Sequence, residues 1–161
     1  MNKLQFHESK ALKLTNVLKY KIPLIDKHFD FNVVIEQMQS YLRTKGVMQV
    51  GPLIQYMGTE FNENNELEVE IYIMLQCNQL IHKVELPYSM DAVIREPDAL
   101  YCRYIGPESK LKFAYDKINL EVFENDIATE NYSYTIFVSH NVEDDVMIAD
   151  VFVPKREALH D

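Results

Sequence analysis

Two stretches of this chain read as one unit written twice, and that repetition restricts the fold more than any other feature. Residues 50–75, VGPLIQYMGTEFNENNELEVEIYIML, make two strand-like runs around the polar, turn-prone NENN, with Gly51-Pro52 at the entrance. Residues 132–154, YSYTIFVSHNVEDDVMIADVFVP, are a looser copy joined by HNVEDD. Each follows an amphipathic helical stretch. Helix aligns with helix at an offset of about 80 residues, too long for a solenoid, whose repeats run to roughly 20–50. A strand-helix-strand-strand unit used twice is the simpler reading.

The rest of the chain fits that frame. Leu12, Leu14, Leu18, Tyr20 and Ile22 alternate as one face of a strand over 12–22, interrupted at Asn16 and ended by Pro23. A connector over 23–29 leads to Asp30, an N-cap for a helix over 31–45. Its apolar stripe is Phe31, Val34, Ile35, Met38, Tyr41 and Leu42, and Gly46 stops it. Strands over 50–58 and 66–76 follow. In the second, Leu67, Val69, Ile71, Ile73 and Leu75 line an apolar face, with Glu66, Glu68, Glu70 and Tyr72 on a solvated one. Leu80, His82, Val84 and Leu86 alternate as a further strand would. Pro87 and Pro97 bracket a connector, PYSMDAVIREP, that marks the internal boundary.

The second unit opens with a strand over 100–105 and a Gly106-Pro107 turn into a helix. That helix carries Leu111, Ala114, Tyr115, Ile118 and Val122 as its stripe and ends near Asn125. Strands over 133–139 and 146–153 close the chain before a frayed tail from residue 155. The expected architecture is α+β, a single domain of two pseudo-repeats, 11–76 and 99–154. Duplicated β-α-β-β units would form a continuous antiparallel sheet with two helices on one face. The groove between the helices would be the natural seat for a ligand.

Charge narrows the partners. A formal net charge of -9 works against nucleic acid or an anionic membrane as partner, since both call for a positive field. The amino-terminal residues have no apolar core of a secretory signal, and no run approaches the roughly 18 apolar residues of a membrane helix. Cys77 and Cys102 lack CxxC spacing and read as reduced thiols of a cytoplasmic protein. There is no HExxH, Walker, GxGxxG or GxSxG motif, and the histidines have no metal-ligand spacing. No catalytic residue, metal or cofactor is expected from the sequence.

With these elements in place, the chain resembles the gyrase-inhibitor-like small-molecule-binding domains that form the effector-binding halves of many bacterial regulators. The resemblance runs from about residue 12 to 154. It is carried by Gly51-Pro52-Leu53-Ile54-Gln55-Tyr56, the alternating strand to Leu75, Tyr104-Ile105-Gly106-Pro107, Tyr115 and Asp150-Val151-Phe152-Val153-Pro154. It implies a groove walled by aromatic rings with a buried glutamate for cationic, often lipophilic compounds. The family's His-x-Gly-Pro-Tyr appears here as Tyr104-Ile105-Gly106-Pro107-Glu108. Its Glu-x-Tyr falls on Thr135-Ile136-Phe137, so the characteristic acid is absent from its usual place.

Asp150, on a strand face with Ile148 and Phe152, could stand in for that acid, and burial would oblige it to find a partner. The other reading is an exposed aspartate or one satisfied by a lysine. Tyr56, Tyr104, Tyr115 and Phe137 are either groove walls, able to stack or make cation–π contacts, or core packing. The ligand-binding set read from the sequence is thus Tyr56, Tyr104, Tyr115, Thr135, Phe137 and Asp150. The expected function is a stand-alone binding domain for a small, partly apolar molecule, cations included. The alternatives are a protein-interaction module and, third, a hydrolase relying on Asp150, Glu108 or Glu70.

Overall fold

The computed structural model describes residues 3–23 and 29–156. The connector expected at 23–29 falls, over 24–28, outside the described residues, as does the tail from 157 onward. Six strands and two α-helices among the described residues make an α+β fold. They are β1 (Lys3–Lys21), α1 (Phe31–Thr44), β2 (Leu53–Phe61), β3 (Leu67–Gln76), β4 (Tyr88–Gly106), α2 (Lys112–Asn125), β5 (Ser133–Asn141) and β6 (Val146–Pro154). The registers given below are all antiparallel. No helix among the described residues is long and apolar enough to cross a membrane.

Contacts gather into two compact units, residues 14–94 and residues 1–13 with 95–161. In the first, β3 lies between β1 and β2, with Leu18 opposite Leu75 and Tyr56 opposite Tyr72. α1 begins where the Asp30 carboxylate accepts the Asn32 N–H at 2.9 Å. It ends where Gly46 takes φ +68°, a backbone a side chain would strain, and Val47 N–H returns to the Leu42 carbonyl at 3.0 Å. Val34, Met38 and Leu42 pack on Leu18, Ile22, Ile73 and Leu75. The periodicity that predicts the stripe therefore finds its core, while Phe31 at its start stays exposed.

Three local expectations change. Asn16 adopts φ +51°, and the residues after it, Val17 and Leu18, are both fully buried, so the alternation along 12–22 breaks there. Asn16 is held by the Cys77 N–H on its carbonyl at 2.9 Å. The apolar face of β3 is buried only at its carboxy-terminal end. Leu67 is 62% exposed and Val69 is also exposed, because the outer half of this hairpin reaches past the residues α1 covers. The third change is larger. Leu80 to Leu86 form no strand, and the expected connector is instead the first half of β4, which runs unbroken for 19 residues through Pro97. The unit division falls inside it, between Ile94 and Arg95.

In the other unit β6 lies between β4 and β5, with Cys102 opposite Val151 and Thr135 opposite Val151 from the other side. A bulge between Phe137 and Ser139 shifts the β5 register near its turn. α2, introduced by a short 3-10 turn at Glu108–Lys110, packs Ala114 and Ile118 on Leu100, Cys102, Tyr104 and Val151. Phe6 of β1 joins this cluster.

Two apolar residues two positions apart on α2 give the direct check. Ile118 is fully buried and Leu120 half exposed, although the sequence presents both as hydrophobic. Ile118→Ala is expected to destabilise by about 2–5 kcal/mol and Leu120→Ala by less than about 0.5 kcal/mol, read from urea unfolding. Equal losses would mean that α2 is rotated about its axis.

Candidate functional site

Strand alternation gives the sheet of the second unit two chemically different faces. Leu100, Cys102 and Tyr104 of β4 and Val151 and Val153 of β6 point to α2 and form its core. Between them Tyr101 and Arg103, and Asp150 and Phe152, point the other way. Register then sets Tyr101, Phe152 and Tyr134 side by side across three strands, and Arg103 next to Asp150 next to Ile136. The result is a row of rings beside a row holding one cation and one anion.

Asp150 is the centre of that second row. Its Oδ1 accepts from Arg103 Nε at 2.7 Å and from the Tyr101 hydroxyl at 2.9 Å, and its Oδ2 accepts from Arg103 Nη2 at 2.9 Å. The guanidinium thus grips the carboxylate at both oxygens, the geometry in which such pairs are strongest. Asp150 is therefore buried, and its partner is an arginine on the neighbouring strand rather than a lysine. The hydrogen bond to Asp150 pushes the Arg103 pKa up, beyond its already basic ordinary value. Burial, and then the donated hydrogen bond to Asp150, push Tyr101 up to about 12. The Tyr101 ring lies 5.0 Å from Phe152 and 5.6 Å from His7 between ring centres, and Lys10 Nζ stands 4.0 Å over it.

The other residues expected at the site lie outside this cluster. Tyr104 is fully buried, with its hydroxyl donating to the Pro107 carbonyl. Tyr115 and Thr135 share a hydrogen bond that ties α2 to β5, and burial raises the Tyr115 pKa. Phe137 is half-buried opposite Ala149, next to the bulge. Tyr56 belongs to the first unit, where its ring meets Tyr72 edge-on at 5.8 Å. The structure brings Tyr104, Tyr115 and Thr135 to the α2 side of their sheet and Asp150 to the opposite side. Glu70 also departs from its solvated row. Its side chain is only 15% exposed, Lys21 Nζ lies at 3.8 Å, and burial with the nearby Glu60 raises its pKa.

Arg103 and Tyr101 were missed in the sequence, and a signal for them exists. LYCRYI holds a lone cation and VMIADVFV a lone acid in otherwise apolar strands, which is what a cross-strand ion pair requires. An open cleft of about 450 Å³ lies elsewhere in this unit, lined by Glu96, Asp98, Glu130, Tyr132, Lys155 and Arg156. Its polar groups largely answer one another, with Lys155 at 3.4 Å from Asp98 and Glu96 accepting from Tyr132 and Tyr134. Among the described residues no buried side-chain nitrogen or oxygen lacks a partner, and no group of histidine, cysteine and acidic residues is arranged to hold a metal. Cys102 and Cys77 are free, buried thiols, and burial pushes Cys102 up to about 11.

No protein-family model matches the sequence, and no curated protein matches it. Solved structures do resemble the fold. The crystal structure of the EcmrR C-terminal domain is 13% identical, with a TM-score of 0.61 and 98% of each chain covered. EcmrR in a DNA complex with RPo, solved by cryo-EM, gives 0.59 at 13% identity, with 98% of this chain matched to 58% of that one. The structure of SAV2435 bound to tetraphenylphosphonium gives 0.44 at 9% identity, covering 93% and 94%. The fold is gyrase-inhibitor-like, in agreement with the resemblance carried by the sequence.

The buried Tyr101 hydroxyl, which donates to Asp150, has a pH signature. The native state holds the Tyr101 proton more tightly than the unfolded chain, whose value is near 10.0. Stability from this group is therefore complete below pH 10 and is lost as pH rises through about 12. Across that range the urea midpoint is expected to fall less steeply in Tyr101→Phe than in the parent protein. An unchanged slope would show that the Tyr101 hydroxyl is not held buried and protonated beside Asp150.

Proposed function

We infer that this domain binds a small, partly apolar molecule, and that its seat is the face of the β5-β6-β4 sheet opposite α2. The observation carrying this reading is the Arg103–Asp150 pair set beside Tyr101, Phe152 and Tyr134. Small-molecule sites are mostly apolar and aromatic surfaces with a few fixed polar groups that orient the ligand, and this face has that composition. The gyrase-inhibitor-like fold supports a receptor role, as an effector-binding domain, in preference to a catalytic one. Of the residues expected from sequence, Asp150 belongs to this seat, while Tyr104 serves the α2 core. Tyr115 and Thr135 fasten the helix behind it.

A thermal-shift screen of small aromatic compounds tests the reading. A binder at about 100 times its dissociation constant adds about 2.7 kcal/mol to stability. Tyr101→Leu, which keeps apolar bulk and removes the ring, is expected to weaken that binder about threefold to tenfold. A screen in which nothing raises the melting temperature, or a binder indifferent to Tyr101→Leu, contradicts it.

A second reading, a protein-docking module, has one observation in its favour. Phe123 on the outward side of α2 is 82% exposed, and Leu120 and Phe113 beside it are exposed as well. A partner protein co-purifying in stoichiometric amount, and lost with Phe123→Asp, would favour this reading over the first.

A further inference from the structure

We propose that the ligand taken by this face carries negative charge and that Arg103 is the residue that selects it. The proposal rests on the small-molecule reading above and goes further by fixing the charge class. Three observations carry it. The first is that Asp150 is already answered, since both its oxygens accept from Arg103 and Oδ1 accepts from Tyr101 as well, three of the about four bonds a carboxylate can accept. A ligand ammonium would have to displace or share a bidentate guanidinium, one of the strongest partners a carboxylate can have.

The second observation is reach. The Arg103 side chain is 36% exposed and that of Asp150 only 12%, so an arriving molecule meets the guanidinium first. A guanidinium has more N–H groups than the two given to Asp150, and those remaining can bind a planar anion such as a carboxylate. The third is the local balance of charge. Lys10 stands over the Tyr101 ring and Glu96 accepts from the Tyr134 hydroxyl across the ring row, so the cation nearest the Arg103–Asp150 pair is Lys10 and the second carboxylate lies on the far ring. With Arg103 and Lys10 set against Asp150 and Glu96, this face is close to neutral in a chain of formal net charge -9. The rings beside the pair, Tyr101, Phe152 and Tyr134, are themselves buried and make an apolar wall behind the guanidinium, so the ligand class is a lipophilic anion.

Tetraphenylborate and tetraphenylphosphonium are nearly the same shape with opposite charge, and titration calorimetry in potassium-free buffer compares them directly. Wild-type protein is expected to bind the borate about tenfold more tightly than the phosphonium, with one site. Arg103→Gln is expected to abolish or reverse that preference, because it removes the selecting cation and uncovers the Asp150 carboxylate. Since an unpaired buried carboxylate can unfold the variant, Arg103→Gln/Asp150→Asn serves as the second case, and there the ratio should fall close to one. Equal or tighter binding of the phosphonium by wild type overturns the charge class while leaving the small-molecule reading in place. A preference that survives in either variant overturns the role of Arg103. If neither ion binds while the thermal-shift screen yields a binder, the lipophilic-anion class is overturned and the small-molecule reading stands.

Discussion

A carboxylate in the middle of VMIADVFV is tolerable only if something answers it, and Arg103 does so from the adjacent strand. Breaking such a pair by removing one partner costs roughly 3–5 kcal/mol when it is fully buried, and somewhat less where, as here, the cation is partly exposed. The pair also fixes register. A one-residue slip of β6 against β4 would turn Asp150 toward the α2 core, among Leu100, Cys102 and Ile118, where it would have no partner. One ion pair thus decides which residues of the two strands pack against α2 and which lie on the opposite face.

The two faces of the sheet then divide the labour. On the α2 side every polar tip is spent internally, Tyr104 on the Pro107 carbonyl and Tyr115 on Thr135. That side is a closed core. On the other side Tyr101, Arg103 and Asp150 form a polar cluster beside Phe152 and Tyr134, and its cation is its most exposed member. The positions that carry the resemblance to gyrase-inhibitor-like domains fall on both faces, because motif positions say nothing about which side of a strand they occupy.

Much of the fold was legible. Asp30 and Gly46 bracket α1 as their chemistry dictates, and the stripes of α1 and α2 find their cores at the expected positions. The first half of β4 was not legible. Pro87 and Pro97 punctuate SMDAVIRE, and its exposed Ala92, Val93 and Arg95 blur the alternation that would announce a strand. Ala99 to Gly106 pair with β6, and β1 is the other neighbour of β4 in the strand order, so the strand is set by partners distant in sequence. At the site, Asp150 stood out because it was an acid in an apolar run. Arg103 escaped notice because an arginine in a strand commonly points to water, and its meaning depends on a partner 47 residues away.

The claim that a small molecule is received at the Arg103 face is tested most directly by observing that side chain during binding. In an arginine side-chain NMR titration with a compound taken from the thermal-shift screen, the Nε–H resonance of Arg103 should move with saturation. Those of Arg43, Arg95 and Arg156 should stay in place. Shifts confined to those three, with Arg103 unmoved at full occupancy, would contradict the account.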